Sequence, residues 1–273
     1  MRTCAYYTLG FRLVAELIER FTYLGIFLVL FPFFQAVLGW SGLLSTLALM
    51  PMAVLMMLAS GLAPQLSRRV GPRTTMATGI LLAGAGLALM ASAVSVDGGY
   101  PSILPGMLTM GLGMGLAMTP STEAITGALP RERQGVASAL NDVTREFGTA
   151  LGIALLGALL SSGYRSAIDA RLDGVPDGAA DAARQGVANA LAAADGAGPG
   201  AGELVRAAQE AFVEGWQSAM WAGAAVLAAL FVYVLVRGPR PPSDTQAGEQ
   251  GKHAGAQPGK RTDEPELVPA AAD

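Results

Sequence analysis

Four polar residues near position 140 have the types and spacing expected of proton handling inside a membrane. Asn141 and Arg145 are four residues apart, Asp142 and Arg145 three, and Asp142 and Glu146 four, so a helix places them in one sector. The charged ones lie roughly 10 to 18 Å along the predicted helix, between the membrane surface and the midplane. Charges at that depth cost about 2.5 to 3.5 kcal/mol each, so we expect them to face protein or water and to pair with one another.

This group contains two carboxyl groups and one guanidinium, which leaves one carboxyl in excess. Burial disfavours the charged form of a carboxyl group, whereas an arginine stabilises the charge of its nearer partner. The excess carboxyl is therefore a candidate proton carrier. A purely structural ion pair near the end of a helix fits the pattern equally well.

A second motif, at positions 61–73, combines glycine, proline and arginine. Gly71 can adopt a positive φ, and the proline after it has a fixed φ, as a tight turn between two antiparallel helices requires. Arg69 and Arg73 flank the turn and can interact with helix ends or acidic partners. The alternative is a basic anchor at the inner membrane surface with no further role.

The segment from 105 to 123 is rich in glycine and methionine. Gly111 and Gly115 are one turn apart on one face, which allows another backbone to approach closely, and Pro120 removes a hydrogen bond near the inner end. This pattern favours either close helix packing or a bendable gate helix. Methionines spaced by three and four residues suit varied ligands or plain packing; they are Met107, Met110, Met114 and Met118.

The helices that carry these residues are long enough to cross a bilayer. The chain is 52% apolar and only 14% charged, and its charge-free runs reach 47 residues, where about 20 suffice for one crossing. A water-soluble single domain is excluded. We predict an all-α polytopic bundle, with Pro51 inside a span where neighbouring helices satisfy the freed carbonyl. The six predicted spans are 21–38, 43–63, 75–94, 103–125, 134–160 and 216–236.

The remaining segments are assigned by composition and charge. Residues 1–20 form a cytoplasmic segment with an amphipathic lead-in, 161–215 an extracytoplasmic loop with helical composition at 180–194 and 203–212, and 237–273 a disordered cytoplasmic tail. Both termini are expected inside the cell, because arginines cluster on one side of the membrane. Those arginines are Arg68, Arg69, Arg73, Arg131, Arg133, Arg237 and Arg240.

The sequence lacks the residues that several kinds of chemistry require. The sequence has one cysteine, Cys4, and one histidine, His253, in the polar tail, so an internal disulfide, a histidine-based triad and a histidine-ligated metal site are excluded. We expect no enzyme activity, no metal, no cofactor and no nucleic-acid partner.

Trp216 and Trp221 are expected at the outer interface of the last span, which suits a lipid-facing position.

Three stretches carry a resemblance to a known family. Residues 119–130 and 134–154 resemble the last third of the fourteen-helix drug:proton antiporters of the major facilitator superfamily, and 31–42 followed by Leu49–Pro51 is similar to an aromatic-rich span of that family. The turn at Arg69, Gly71 and Arg73 resembles its loop signature, with Arg68 in the place of an acid. The resemblance covers about residues 24–160.

The resemblance implies a C-terminal six-helix half built from two inverted three-helix repeats. In such a half, the first and fourth spans line the cavity, the second and fifth contact the other domain, and the third and sixth face lipid. Candidate cavity residues are Gln35, Met118, Thr119 and Glu123, and candidate coupling residues are Asn141, Asp142, Arg145 and Glu146. The implied activity is proton-coupled multidrug efflux across the cell inner membrane, with the bilayer, a small-molecule substrate and protons as partners.

Two alternatives stay open at this point. In the first, the chain is a truncated, non-transporting membrane protein or a structural subunit. In the second, the chain transports only after assembly with another polypeptide. In the second case a separate N-terminal half of six to eight helices, or a second copy in a homo-oligomer, supplies the rest of the cavity.

Overall fold

The computed structural model describes residues 30–126, 134–194 and 200–237, and every regular element in these ranges is an α-helix. Residues 30–36 are helical and are named α1. The other helices are α2 (Gly42–Ala48), α3 (Met50–Val70), α4 (Pro72–Ala93), α5 (Gly99–Thr126), α6 (Gln134–Asp169), α7 (Asp177–Gln185), α8 (Val187–Ala194) and α9 (Ala201–Arg237).

The chain is an all-helical membrane protein with five candidate spans in its described residues. These spans correspond in order to the second to sixth predicted spans. The first predicted span, 21–38, lies mostly outside the described residues. The five candidates are Gly42–Val70, Pro72–Ala93, Gly99–Met118, Ser138–Asp169 and Ala201–Val236.

The long helices pack in the spatial order α3, α5, α4, α9, α6. The contact between α4 and α5 is the most extensive and is made by glycines. A Cβ atom on Gly113 would lie 2.4 Å from the Ala83 nitrogen and 2.5 Å from the Gly79 carbonyl oxygen, so the two backbones touch. Small residues permit this approach, and it stabilises membrane helices through van der Waals contact.

The second predicted span is divided into α2 and α3. Leu49 lies outside both helices, and helical hydrogen bonding resumes with the Ala53 N–H donating to the Leu49 carbonyl, at 3.0 Å. Pro51 then falls in the first turn of α3 rather than inside a continuous helix. Proline suits that position because the first N–H groups of a helix have no partner in it.

The predicted loop at 161–215 is largely helical. The α6 helix continues to Asp169, α7 and α8 follow, and α9 begins at Ala201, so the segments with helical composition are helices. Tyr164, Ile168 and Phe212 are buried in the same core as the spans, and the Tyr164 hydroxyl donates a hydrogen bond of 2.8 Å to the Ala183 carbonyl. We call the described residues of this segment, 161–194 and 200–215, the helical cap.

The two tryptophans of α9 occupy different environments, which corrects the expectation that both lie at the lipid interface. Trp216 is fully buried, and its ring centroid is 5.3 Å from that of Phe33 in α1. Trp221 is about half exposed. Five residues correspond to about 140° of helix rotation, so only one of the two can face the core.

Candidate functional site

The predicted coupling residues lie on the outward face of α6. Asp142, Arg145 and Glu146 are exposed, whereas Thr144 and Gly148 face the neighbouring helices. The helical spacing therefore places the three charged side chains on one side, as predicted, and that side points away from the other described residues. The expectation that these charges face protein or water stays a prediction.

The three charged residues do not pair with one another. Among the described residues, no carboxylate oxygen lies within ion-pair distance of the Arg145 guanidinium. Asn141 lies beside them and is half-buried, and its Oδ1 atom is buried without a hydrogen-bond partner in the described part of the chain. A buried amide oxygen of this kind normally has a hydrogen-bond partner.

Exposed apolar side chains accompany these charges on α6, and α3, at the other end of the packing order, has a similar exposed apolar side. Val143 and Phe147 on α6 are exposed, as are Val54 and Met57 on α3. Only 22% of the residues in the most apolar window of each of these two spans are buried, against 50% for α4 and 56% for α5. We call the exposed sides of α3 and α6 the open faces.

The predicted turn motif forms the link between α3 and α4. Gly71 has φ +90°, its N–H donates to the Ser67 carbonyl at 3.0 Å, and its carbonyl accepts from the Thr75 N–H at 3.1 Å. One residue thus reverses the chain, which requires the conformational freedom of glycine. Arg69 is exposed at the end of α3, and Arg73 is half-buried in the first turn of α4.

The predicted gate residues of α5 make packing contacts. A Cβ atom on Gly111 would lie 2.9 Å from the Met52 carbonyl oxygen, and one on Gly115 would lie 2.4 Å from the Met56 carbonyl oxygen. Both glycines therefore face α3, while Gly113 faces α4. Three of the four methionines in the row are buried in the core; they are Met107, Met110 and Met114.

The predicted cavity residues are only partly described. Gln35 is exposed at the end of α1, and Met118 is half-buried on α5. Thr119, Pro120 and Glu123 also lie on α5, but their side chains fall outside the described residues. The grouping of the four candidate cavity residues therefore stays a prediction.

An ion-pair network that the sequence did not indicate lies at the other end of the bundle from the Gly71 turn. Arg206 contacts Asp97 at 3.0 Å and Glu210 at 2.9 Å, and Arg171 contacts Glu210 at 3.6 Å and also Glu214. The network joins the α4–α5 turn, α9 and the end of α6. The four-residue spacing of Arg206 and Glu210 is visible in the sequence. The pairs of Arg171 with Glu214 and of Arg206 with Asp97, 43 and 109 residues apart, are not.

Two glutamines and one further arginine complete the polar contacts of the helical cap. The Gln209 side chain donates to the Ala36 carbonyl at 3.0 Å, and that of Gln217 donates to the Val94 carbonyl at 2.7 Å, where α4 ends. Hydrogen bonds from the Arg184 guanidinium to Asp169 and to Asp181 in α7 raise the pKa of Arg184 above its usual value. The Gln209 contact joins the cap to the end of α1, the Gln217 contact joins α9 to the end of α4, and the Arg184 contacts lie within the cap.

Comparison with known proteins identifies the family. Residues 8–153 match the model of the Major Facilitator Superfamily, which is more than half of the chain. The chain belongs to this superfamily of membrane transporters. The family consists of transporters and not of enzymes.

Individual relatives are drug-resistance and efflux proteins of bacteria. The chain is 31% identical to the puromycin resistance protein pur8 of Streptomyces alboniger over 47% of the chain and 26% of the relative. It is 35% identical to a multidrug resistance protein B homolog of Mycobacterium tuberculosis over 47% and 24%, and 30% identical to the multidrug efflux pump LfrA of Mycolicibacterium smegmatis over 43% and 23%. The chain therefore matches about a quarter of the length of these relatives.

Proposed function

We propose that this chain is the C-terminal six-helix half of a proton-coupled transporter that exports drugs or other amphipathic small molecules. The similarity to proteins named for drug resistance and efflux supports the substrate class. The short matched share of those relatives supports the need for a further half. We also propose two inverted three-helix repeats, and an orientation with the Gly71 turn and both termini in the cytoplasm.

The open face of α6 is the observation that carries this proposal. Asp142, Arg145 and Glu146 lie between exposed Val143 and Phe147, inside a helix of membrane-spanning length. Lipid is a costly environment for the charges, and water is a poor one for the apolar side chains. A second helical domain packed on this face would cover the apolar side chains and would place its own polar groups opposite the charges. The open face of α3 borders the same partner in the proposal.

The proposed coupling follows from the charge balance at this face. This face carries two carboxyl groups and one guanidinium, so a partner domain that covers it encloses at least one carboxyl group that gains from neutralisation when water is excluded. Asp142 or Glu146 then takes up a proton from one side and releases it to the other as the two halves rock. Gln35, Met118, Thr119 and Glu123 are proposed to line the substrate cavity.

An efflux assay tests coupling. Membrane vesicles containing the chain are given a pH gradient, and uptake of a lipophilic fluorescent cation is followed for the chain alone and for the chain fused behind the preceding part of the puromycin resistance relative. We expect Asp142→Asn and Glu146→Gln each to reduce uptake at least tenfold, and the control Asp177→Asn on α7 to leave it unchanged. Normal uptake in both variants would assign the acids to a structural role.

The same assay separates the two forms of the proposal. Uptake by the fusion but not by the chain alone favours a half that needs a partner, and uptake by the chain alone favours assembly of identical copies. If neither transports, the alternative of a non-transporting structural subunit replaces the proposal.

Thiol labelling tests the orientation. In a Cys4→Ser background, Asn189→Cys on α8 should react with an impermeant maleimide from outside intact cells. Val70→Cys, beside the Gly71 turn, should react only after the cells are permeabilised. The opposite result would invert the orientation.

A further inference from the structure

Helical structure is interrupted at each end of the short segment before α3. Gly39 has φ +66°, in the left-handed region that favours glycine, and it precedes α2. At the other end, Leu49 belongs to neither helix, and Pro51 has no N–H with which to continue α3 back into α2. Residues 39–49 thus form a short unit between two interruptions of helical structure.

One side chain of the bundle contacts both ends of this unit. The ring centroid of Tyr100, in the first turn of α5, is 5.5 Å from that of Trp40, just before α2. The Tyr100 hydroxyl donates a hydrogen bond of 2.8 Å to the carbonyl of Ala48, the last residue of α2. In a continuous helix, a backbone N–H of the next turn would donate to the Ala48 carbonyl. Because the helix is interrupted at Leu49, the Tyr100 hydroxyl is the donor instead.

The rest of the unit is weakly attached. Its inward face is made of small residues, Ser45 and Ala48, which bury little apolar surface. The Ser45 hydroxyl donates to the Ser41 carbonyl at 3.0 Å, within the unit rather than to the bundle. The larger side chains point outward and are between 44% and 75% exposed; they are Leu43, Leu44 and Leu47.

We propose that residues 39–49 are a flap that swings about Gly39 and Leu49 and is held down by Tyr100. Lifting the flap exposes Ser45 and the tyrosine hydroxyl and opens the end of the bundle opposite the Gly71 turn. The flap is held by the hydrogen bond from Tyr100, by the contacts of the Trp40 ring with Tyr100 and Phe34, and by the Trp40 N–H, which donates to the Phe34 carbonyl at 3.1 Å. These contacts are fewer than those of the core around it, so the flap opens more often than the core. The proposal concerns the motion of this chain and stands or falls independently of transport.

Thiol labelling of a buried position on the flap tests the opening. Ser45→Cys, in a Cys4→Ser background and in lipid nanodiscs, reacts with N-ethylmaleimide at a rate proportional to the open fraction. Tyr100→Phe removes the hydroxyl and keeps the ring, so we expect a rate about tenfold higher, which corresponds to ~1.4 kcal/mol. The control is Ala91→Cys, a buried position near the same end of α4, whose rate should stay unchanged.

A second variant tests the joint itself. Pro51→Ala supplies an N–H that can donate to the Leu47 carbonyl, so α2 and α3 should fuse into one helix. We expect the Ser45→Cys rate to fall below that of the parent, and adding Tyr100→Phe should then raise it by less than twofold. Equal acceleration of Ser45→Cys and Ala91→Cys by Tyr100→Phe, or no acceleration, would overturn the flap. An unchanged rate in Pro51→Ala would overturn the joint at Leu49.

Discussion

Replacing Gly113 with alanine should separate the two most closely packed helices of the bundle. The added Cβ atom would lie 2.4 Å from the Ala83 nitrogen and 2.5 Å from the Gly79 carbonyl oxygen. Ordinary contacts of a Cβ atom are 3.4 to 4 Å, so α4 and α5 must move apart by about 1 Å. The opposing atoms belong to the backbone and cannot move by a simple change of rotamer.

The expected loss of stability follows from two opposing terms. Overpacking costs about 1 to 3 kcal/mol, and rigid backbone on the other side places Gly113→Ala at the upper end. Alanine in place of glycine gains about 1 kcal/mol in helix propensity. The net result is a loss of about 2 kcal/mol in the free energy of unfolding, measured by titration with sodium dodecyl sulfate in mixed micelles and followed by circular dichroism.

Gly157 in α6 supplies a matched control. It is also a helical glycine, but no atom of another residue lies within 4 Å of its added Cβ atom. Gly157→Ala should therefore be neutral or stabilise the chain by up to about 1 kcal/mol. Equal stability of the Gly113 and Gly157 variants would refute the conclusion that glycine at 113 is required for backbone contact.

Three further substitutions test the contacts of α9. Gly215→Ala places a Cβ atom 2.6 Å from the Leu160 carbonyl oxygen and should cost about 2 kcal/mol in the same titration; an unaffected variant would mean that α6 and α9 are not in backbone contact. Gln217→Leu leaves the Val94 carbonyl without its 2.7 Å hydrogen bond and should cost about 1 to 3 kcal/mol; unchanged stability would show that this hydrogen bond does not hold α9 to the end of α4. Arg171→Met should lower the Tm in neutral detergent only slightly, by the equivalent of under about 1 kcal/mol, and the difference should vanish in 1 M salt; a difference independent of salt would show that the network is not what the arginine contributes.

Much of the bundle could be predicted from local sequence. Charge-free apolar runs identified the second to sixth spans, because crossing a bilayer requires a continuous length of apolar residues. The turn at Gly71 was predictable because positive φ and a following proline leave few alternatives. The spacing of Asp142, Arg145 and Glu146 also predicted correctly that they share one side of a helix.

Other features depended on partners that are distant in sequence. Trp216 was expected at the lipid interface, but it packs against Phe33, and only the rotation of α9 about its axis decides this. The division of the second span at Leu49 is accompanied by a hydrogen bond from Tyr100, 52 residues from Ala48. No local pattern contains that information.

The sequence by itself determined that this protein is a helical membrane protein and where most of its crossings lie. The reason is that the free energy of transferring a residue from water into lipid depends mainly on the type of that residue. Only the tertiary structure decided which helix faces touch. Within the described residues, it showed that α5 is enclosed by α3 and α4, that 161–194 and 200–215 fold into a cap, and that the charges of α6 point outward. These outcomes depend on the shapes of two surfaces at once, and a single stretch of sequence describes one of them.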